Sequence, residues 1–173
     1  MSKRVIPLLL GLVATLVLGL AGPASAITYE WDTAERGTDS IPTEMQCVWN
    51  DYARVCYHSY GDTFWVRDEN SDGQSAVADW RDYSGDTGAL RRKGGCRNAL
   101  GSGKWARCNK NFAEIDTIYF RPCRVNWGAG ERTPSECGYW IACKANGTGC
   151  WAPSSAEVTA IQEGRNPLKV RTR

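Results

Sequence analysis

The chain has 173 residues, 23% of them charged and 42% hydrophobic, with 21 basic side chains, 19 acidic ones and a single histidine. That balance is too apolar for a disordered chain and not basic enough for a nucleic-acid binder. Eight cysteines without a closely spaced pair and beside one histidine argue against zinc and for disulfides.

Residues 1–26 read as an export signal. Lys3 and Arg4 precede the apolar run VIPLLLGLVATLVLGLAG, and PASA supplies a small-residue cleavage site ending at Ala26. No later segment is apolar enough to span a bilayer, so the expected product is secreted, extracellular and free of the membrane. Lys3 and Arg4 account for the whole formal charge of +2. The remainder is neutral but divided: residues 27–86 carry 13 acidic and 4 basic side chains, residues 87–173 carry 6 and 15. Opposite halves attract, and a nucleic-acid partner is not expected.

Residues 27–45, acidic and without evident periodicity, are expected to form a flexible N-terminal arm. From Gln46 short aromatic and β-branched runs alternate with turns: QCVW, ARVCYHSY, TFWVR and QSAVADW. This is the pattern of antiparallel strands in a meander. Residues 82–95 hold four glycines and read as a loop. CRNALGSGKWARC reads as two strand ends around a GSG turn, and EIDTIYFRPCRVNW as a later strand. In TPSECGYWIACKA, Thr133, Pro134 and Glu136 match a helix start, so a short helix is expected there. SSAE at 154–157 matches a capping box before VTAIQE, and LKVRTR is expected to fray. The fold class is therefore mainly β: an antiparallel meander or small sandwich with one or two short C-terminal helices, stapled by disulfides. Residues 46–150 form the stabilised β-rich domain, and 151–173 the short helix and tail.

An even cysteine count behind an export signal reads as four bridges. Short closures favour Cys47–Cys56 and Cys96–Cys108; the rest of the connectivity stays open.

DENSDGQSAVAD places Asp68, Asn70, Asp72 and Asp79 at about positions 1, 3, 5 and 12 of a calcium loop, with Gly73 at the bend and the Gln74 carbonyl following it. Ca2+ is thus the candidate cofactor. The loop resembles the EF-hand family over these residues alone: Asp79 is shorter than the usual glutamate, Ser75 replaces an apolar residue, and a strand precedes the loop. A hairpin turn whose return strand starts at Gln74 explains the same residues and is the favoured reading.

No catalytic residue is singled out. His58 lies in a strand pattern. Glu114, Asp116, Glu131 and Glu136 could serve a carboxylate mechanism, but no spacing pairs them. NALGSGKW fails as a phosphate loop at Asn98 and Trp105. Among eight tryptophans, Trp31, Trp105 and Trp151 lie in polar contexts suited to a binding surface. The candidate binding set is Trp105, Arg97, Lys104 and Arg107.

The motifs W-V-x-D, D-G-x-S-A, G-x-C-x-N and C-N-x-x-F-x-E, between residues 47 and 125, resemble a group of small exported, cysteine-containing β-rich proteins of actinobacteria. The resemblance implies export and one β-rich domain and carries no site residue. The functional expectation is a monomeric binding module for an extracellular protein, peptidase or cell-surface glycan. The alternatives are a small hydrolase using carboxylates on polysaccharide or nucleic acid, and an envelope protein self-associating through its charged halves.

Overall fold

A computed structural model describes residues 26–38 and 41–171. Most of the export segment, residues 1–25, lies outside the described residues. Among the described residues eleven strands run in chain order: β1 Tyr29–Thr33, β2 Glu35–Arg36, β3 Gln46–Trp49, β4 Ala53–His58, β5 Thr63–Asp68, β6 Ser75–Tyr83, β7 Leu90–Arg97, β8 Trp105–Asn109, β9 Thr117–Val125, β10 Ile141–Lys144 and β11 Cys150–Trp151. Helices α1 Ser155–Gln162 and α2 Leu168–Arg171 close the chain. The strands form a six-stranded sheet of order β1-β7-β6-β9-β10-β11 and a five-stranded sheet of order β2-β8-β5-β4-β3.

The two sheets face one another across an aromatic core, as period-2 alternation dictates. Val55, Tyr57, Phe64 and Val66 point inward from one sheet and Ala78, Trp80, Ile118 and Phe120 from the other. Trp80 approaches Phe112 at 5.3 Å and Phe64 at 6.4 Å between ring centroids. On the outer side of the larger sheet, Tyr83, Tyr119 and Trp140 carry Ile161 of α1 and Leu168 of α2. Four disulfides join Cys47–Cys56, Cys96–Cys108, Cys123–Cys137 and Cys143–Cys150, with no free cysteine. The first two are the pairs expected. Such a covalent frame belongs to an oxidising environment. No helix of the described residues is long and apolar enough to cross a membrane.

Several expectations are corrected. The stretch read as a flexible arm contains two strands. Tyr29 and Trp31 alternate with Glu30 and Asp32, and β1 pairs in parallel with β7 while β2 pairs with β8. The acids meet basic partners from the second half: Arg92 bonds Glu30 through both oxygens at 2.9 Å, and Lys110 pairs with Asp32. Residues 82–95 are not one loop, because β6 runs to Tyr83 and β7 resumes at Leu90. The glycines there admit neighbours: a Cβ on Gly94 would lie 2.5 Å from the Glu30 carbonyl oxygen and one on Gly95 2.7 Å from the Trp31 ring. Residues 134–145 are not helical. Ser135 exchanges backbone bonds with Arg124, Gly138 N–H donates to the Pro122 carbonyl at 2.8 Å, and β10 pairs with β9, so extended pairing wins over the local helix signal. The Cys96–Cys108 bridge staples one sheet to the other rather than the base of a hairpin. Ile115, inside the segment EIDTIYFRPCRVNW expected as a strand, lies before β9 and is 48% exposed. The expected capping box is present: Ser154 Oγ accepts from Glu157 N, and Glu157 accepts from Ser154 N.

Candidate functional site

The calcium-loop residues are not brought together. Residues 69–74 form an arch that carries the chain from β5 in one sheet to β6 in the other, so they are also not the turn of a hairpin. Asp68 is buried and its Oδ1 accepts from Asn70 N; Asp72 Oδ1 accepts from Gln74 N while its other oxygen pairs with Arg124 at 2.7 Å. These are side-chain-capped turns. Asp79 sits down β6 on the outer face of the six-stranded sheet. There it accepts from the Tyr29 hydroxyl at 2.9 Å, Arg81 at 2.6 Å and Arg121 at 2.9 Å. Burial, then Asp79 itself, pushes the Tyr29 phenol far above its ordinary value. Asp79 lies beside Cys123 and Cys137 in the metal-sized cluster found among the described residues, but a disulfide offers no thiolate.

Of the candidate binding set, Trp105 and Arg107 share the outer face of the five-stranded sheet, two residues apart on β8, with Lys104 exposed just before them. Arg97 is not among them: it lies on β7 of the other sheet, 4.4 Å from the Trp127 ring centroid. The register extends the first group. Trp105 pairs with Arg67, Arg67 with Arg54 and Arg54 with Trp49, giving a cross-strand row that begins and ends in an indole. Glu69 bridges the two inner arginines at 3.3 Å and 2.9 Å. Arg107 lies over the Trp65 ring at 6.0 Å.

Trp49 is where this row turns the edge. β3 ends its sheet, and between it, the start of β10 and the chain that follows β11 opens a groove of about 440 Å³ with Val48, Trp49, Tyr139, Trp140, Ile141 and Val158 among its walls. Trp49 is 63% and Tyr139 86% exposed. The Arg54 guanidinium lies 5.6 Å from the Trp49 ring and remains partly exposed. Trp140 is held from behind, with the Arg121 guanidinium 4.4 Å from its ring. The groove therefore joins two open aromatic rims to a rigid apolar floor.

Sequence reasoning missed Trp49, Arg54, Arg67 and Tyr139. The outward phase of ARVCYH and TFWVR marks Arg54 and Arg67; nothing local marks Tyr139, whose segment was read as helix. Trp31 and Trp151, chosen for polar contexts, are half-buried: Trp31 meets Trp127, and Trp151 donates to Glu157 at 3.2 Å.

One buried acidic pair stands apart. Asp82 and Asp116 are essentially fully enclosed. Burial, and then the charge and hydrogen bond of Asp116, push Asp82 up to about 7. Asp116 accepts from Gly85 N at 3.0 Å, and the Arg91 guanidinium stands 3.5 Å away. No protein-family model, curated protein or solved structure matches this chain.

Proposed function

We propose that this protein is an exported binding module that receives an apolar or aromatic side chain of an extracellular protein partner between Trp49 and Tyr139, with Arg54 alongside for an acidic flank. The observation that carries the reading is the exposure of these two rings at the mouth of a groove whose walls hold no charged side chain. Large exposed aromatics over an apolar floor are the usual anchors of protein recognition. A glycan fits less well, because only the Tyr139 hydroxyl and the Trp49 and Trp140 indole N–H groups could meet its many hydroxyls in the groove. Export is supported by the leader-like residues 1–26 and by the four disulfides, which also keep the groove preorganised.

The test is a displayed-peptide selection against the oxidised protein, run beside a glycan array. Selected peptides should share an aromatic or branched apolar residue next to acidic ones, and lose at least about tenfold in affinity against Trp49→Ala or Tyr139→Ala. Peptides that bind both variants as well as the parent, or a response confined to the glycans, would remove the reading.

The hydrolase alternative has one observation in its favour, the Asp82–Asp116 pair with its raised Asp82, since acid–base catalysis needs such a proton near neutrality. Its enclosure counts against it, as neither carboxyl lines the groove or the two polar clefts at the other edges of the sandwich. Turnover of a polysaccharide or nucleic acid that Asp82→Asn abolishes would reverse the ranking.

A further inference from the structure

Trp127 opens a short 3-10 turn, Trp127–Ala129, just beyond the end of β9. Its indole meets Trp31 edge-on, with 5.2 Å between centroids, and helps cover Val77, Val125 and Cys123. Two guanidinium groups lie on this one ring, Arg97 at 4.4 Å and Arg132 at 3.6 Å from the centroid. Both approach a single centroid, so they stand no farther apart than roughly the 8 Å screening length of physiological salt.

Neither guanidinium has a counter-charge among the described residues. Every other arginine on the strands of the six-stranded sheet has a carboxylate: Arg81 and Arg121 share Asp79, Arg91 faces Asp116, Arg92 holds Glu30, and Arg124 reaches Asp72 and Glu136. Among the described residues neither Arg97 nor Arg132 takes part in an ion pair. Arg97 Nε donates to Ser75 Oγ at 3.1 Å, which leaves both of its terminal amino groups without an acceptor among the described residues. Arg132 spends one terminal nitrogen on the carbonyl oxygens of Trp127 and Glu131, leaving its Nε and the other terminal nitrogen. A guanidinium carries five N–H donors in a flat fork, so most of the ten donors on these two groups have no acceptor among the described residues. The cost of gathering two like charges is visible in Arg97, which burial and then the charge of Arg132 hold below the ordinary arginine range.

The donors select the anion. A carboxylate has two oxygens, enough for one guanidinium fork, whereas a tetrahedral oxyanion offers three or four and can meet both. We infer that Arg97 and Arg132, held on Trp127, form a binding site for phosphate or sulfate, free or as an ester, that shares no residue with the aromatic groove.

Calorimetric titration of the oxidised protein at constant ionic strength tests this, with inorganic phosphate, inorganic sulfate, a sugar phosphate and acetate as ligands. Phosphate and sulfate should bind at one site, acetate at least about tenfold more weakly, and Arg132→Gln should weaken phosphate by about tenfold or more. Arg132→Lys, which keeps the charge and loses the fork, should fall between them and replaces the Gln variant if that fails to fold. Tighter binding of the sugar phosphate than of inorganic phosphate identifies an ester-bearing ligand, and the reverse order a free ion. Acetate binding as tightly as phosphate, or an Arg132 variant that titrates like the parent, overturns the site. Trp49→Ala leaves it intact, so the outcome is independent of the peptide experiment.

Discussion

Cys96 on β7 and Cys108 on β8 are disulfide partners across the two layers of the sandwich, with Cα atoms 6.0 Å apart and both side chains in the core. Cys47–Cys56 and Cys143–Cys150 instead join neighbouring strands at the sheet edges. Converting Cys96 and Cys108 together to alanine is therefore expected to cost about 2–5 kcal/mol, the usual loss for a native bridge in a small domain. It also leaves a void between the sheets. The same change at Cys143 and Cys150, where Cys150 is exposed, should cost less. Denaturant unfolding of the two variants measures the difference, and equal losses would show that the inter-sheet position carries no added weight.

Asp82 supplies a pH dependence of unusual direction for a carboxyl. The unfolded chain ionises this group near 3.8, whereas the folded protein keeps its proton up to about 7, because burial and the adjacent Asp116 disfavour a second negative charge. The folded state's advantage from this group is complete below about 3.8 and disappears as pH climbs from there to about 7. Asp82→Asn retains a donor toward Asp116 and removes the titration. Thermal melts from pH 4 to 8 should show the parent losing stability across that window while the variant loses less and melts higher at pH 8. A parent slope unchanged by the substitution would assign the effect to other groups.

How much of this was legible in the sequence depends on the range of the forces involved. Strand content, the two short closures by Cys47–Cys56 and Cys96–Cys108, and the Ser154–Glu157 cap arise within a few residues, and local pattern finds them. β1 was missed although Tyr29 to Thr33 alternate, because its acidic inward positions look soluble until Arg92 and Lys110 are placed opposite them. Residues 134–145 satisfied a helix-start rule and were overruled by pairing with β9. The aromatic groove was illegible for a related reason: Trp49 and Tyr139 are ninety positions apart, and only the approach of β3 to the segment leading into β10 joins them.

The cap of α1 gives a carboxyl of opposite behaviour. Burial would raise Glu157, but donors from the Ser154 backbone, Trp151, the Ser154 hydroxyl and Tyr119 outweigh it and hold the carboxylate below the ordinary glutamate value. Its stabilisation is present above about 4.5 and fades as pH falls through the depressed folded value. Ser154→Ala should cost about 1 kcal/mol at neutral pH. Glu157→Gln should flatten the acid limb of the stability profile below pH 4.5 without touching the limb that belongs to Asp82. Chemical denaturation at pH 3 and 7 separates the two, and an acid limb identical in parent and Gln variant would refute the assignment.

The arch at residues 69–74 offers the last test. A calcium ion in this loop would need Asp68, Asn70, Asp72 and Asp79 to turn their oxygens toward one point. Asp79 is instead saturated by Tyr29, Arg81 and Arg121 several residues along β6, and Asp72 is committed to Gln74 and Arg124. Freeing Asp79 would strand two arginines against the Trp140 ring, a cost that a hydrated surface ion does not offset. Millimolar calcium and excess chelator should therefore leave the melting temperature unchanged. Arg124→Gln, which removes the salt bridge to Asp72 but leaves the Asp79 cluster whole, should not create a response. A saturable heat of calcium binding in the parent that Asp72→Asn eliminates would show that the arch reorganises around the ion.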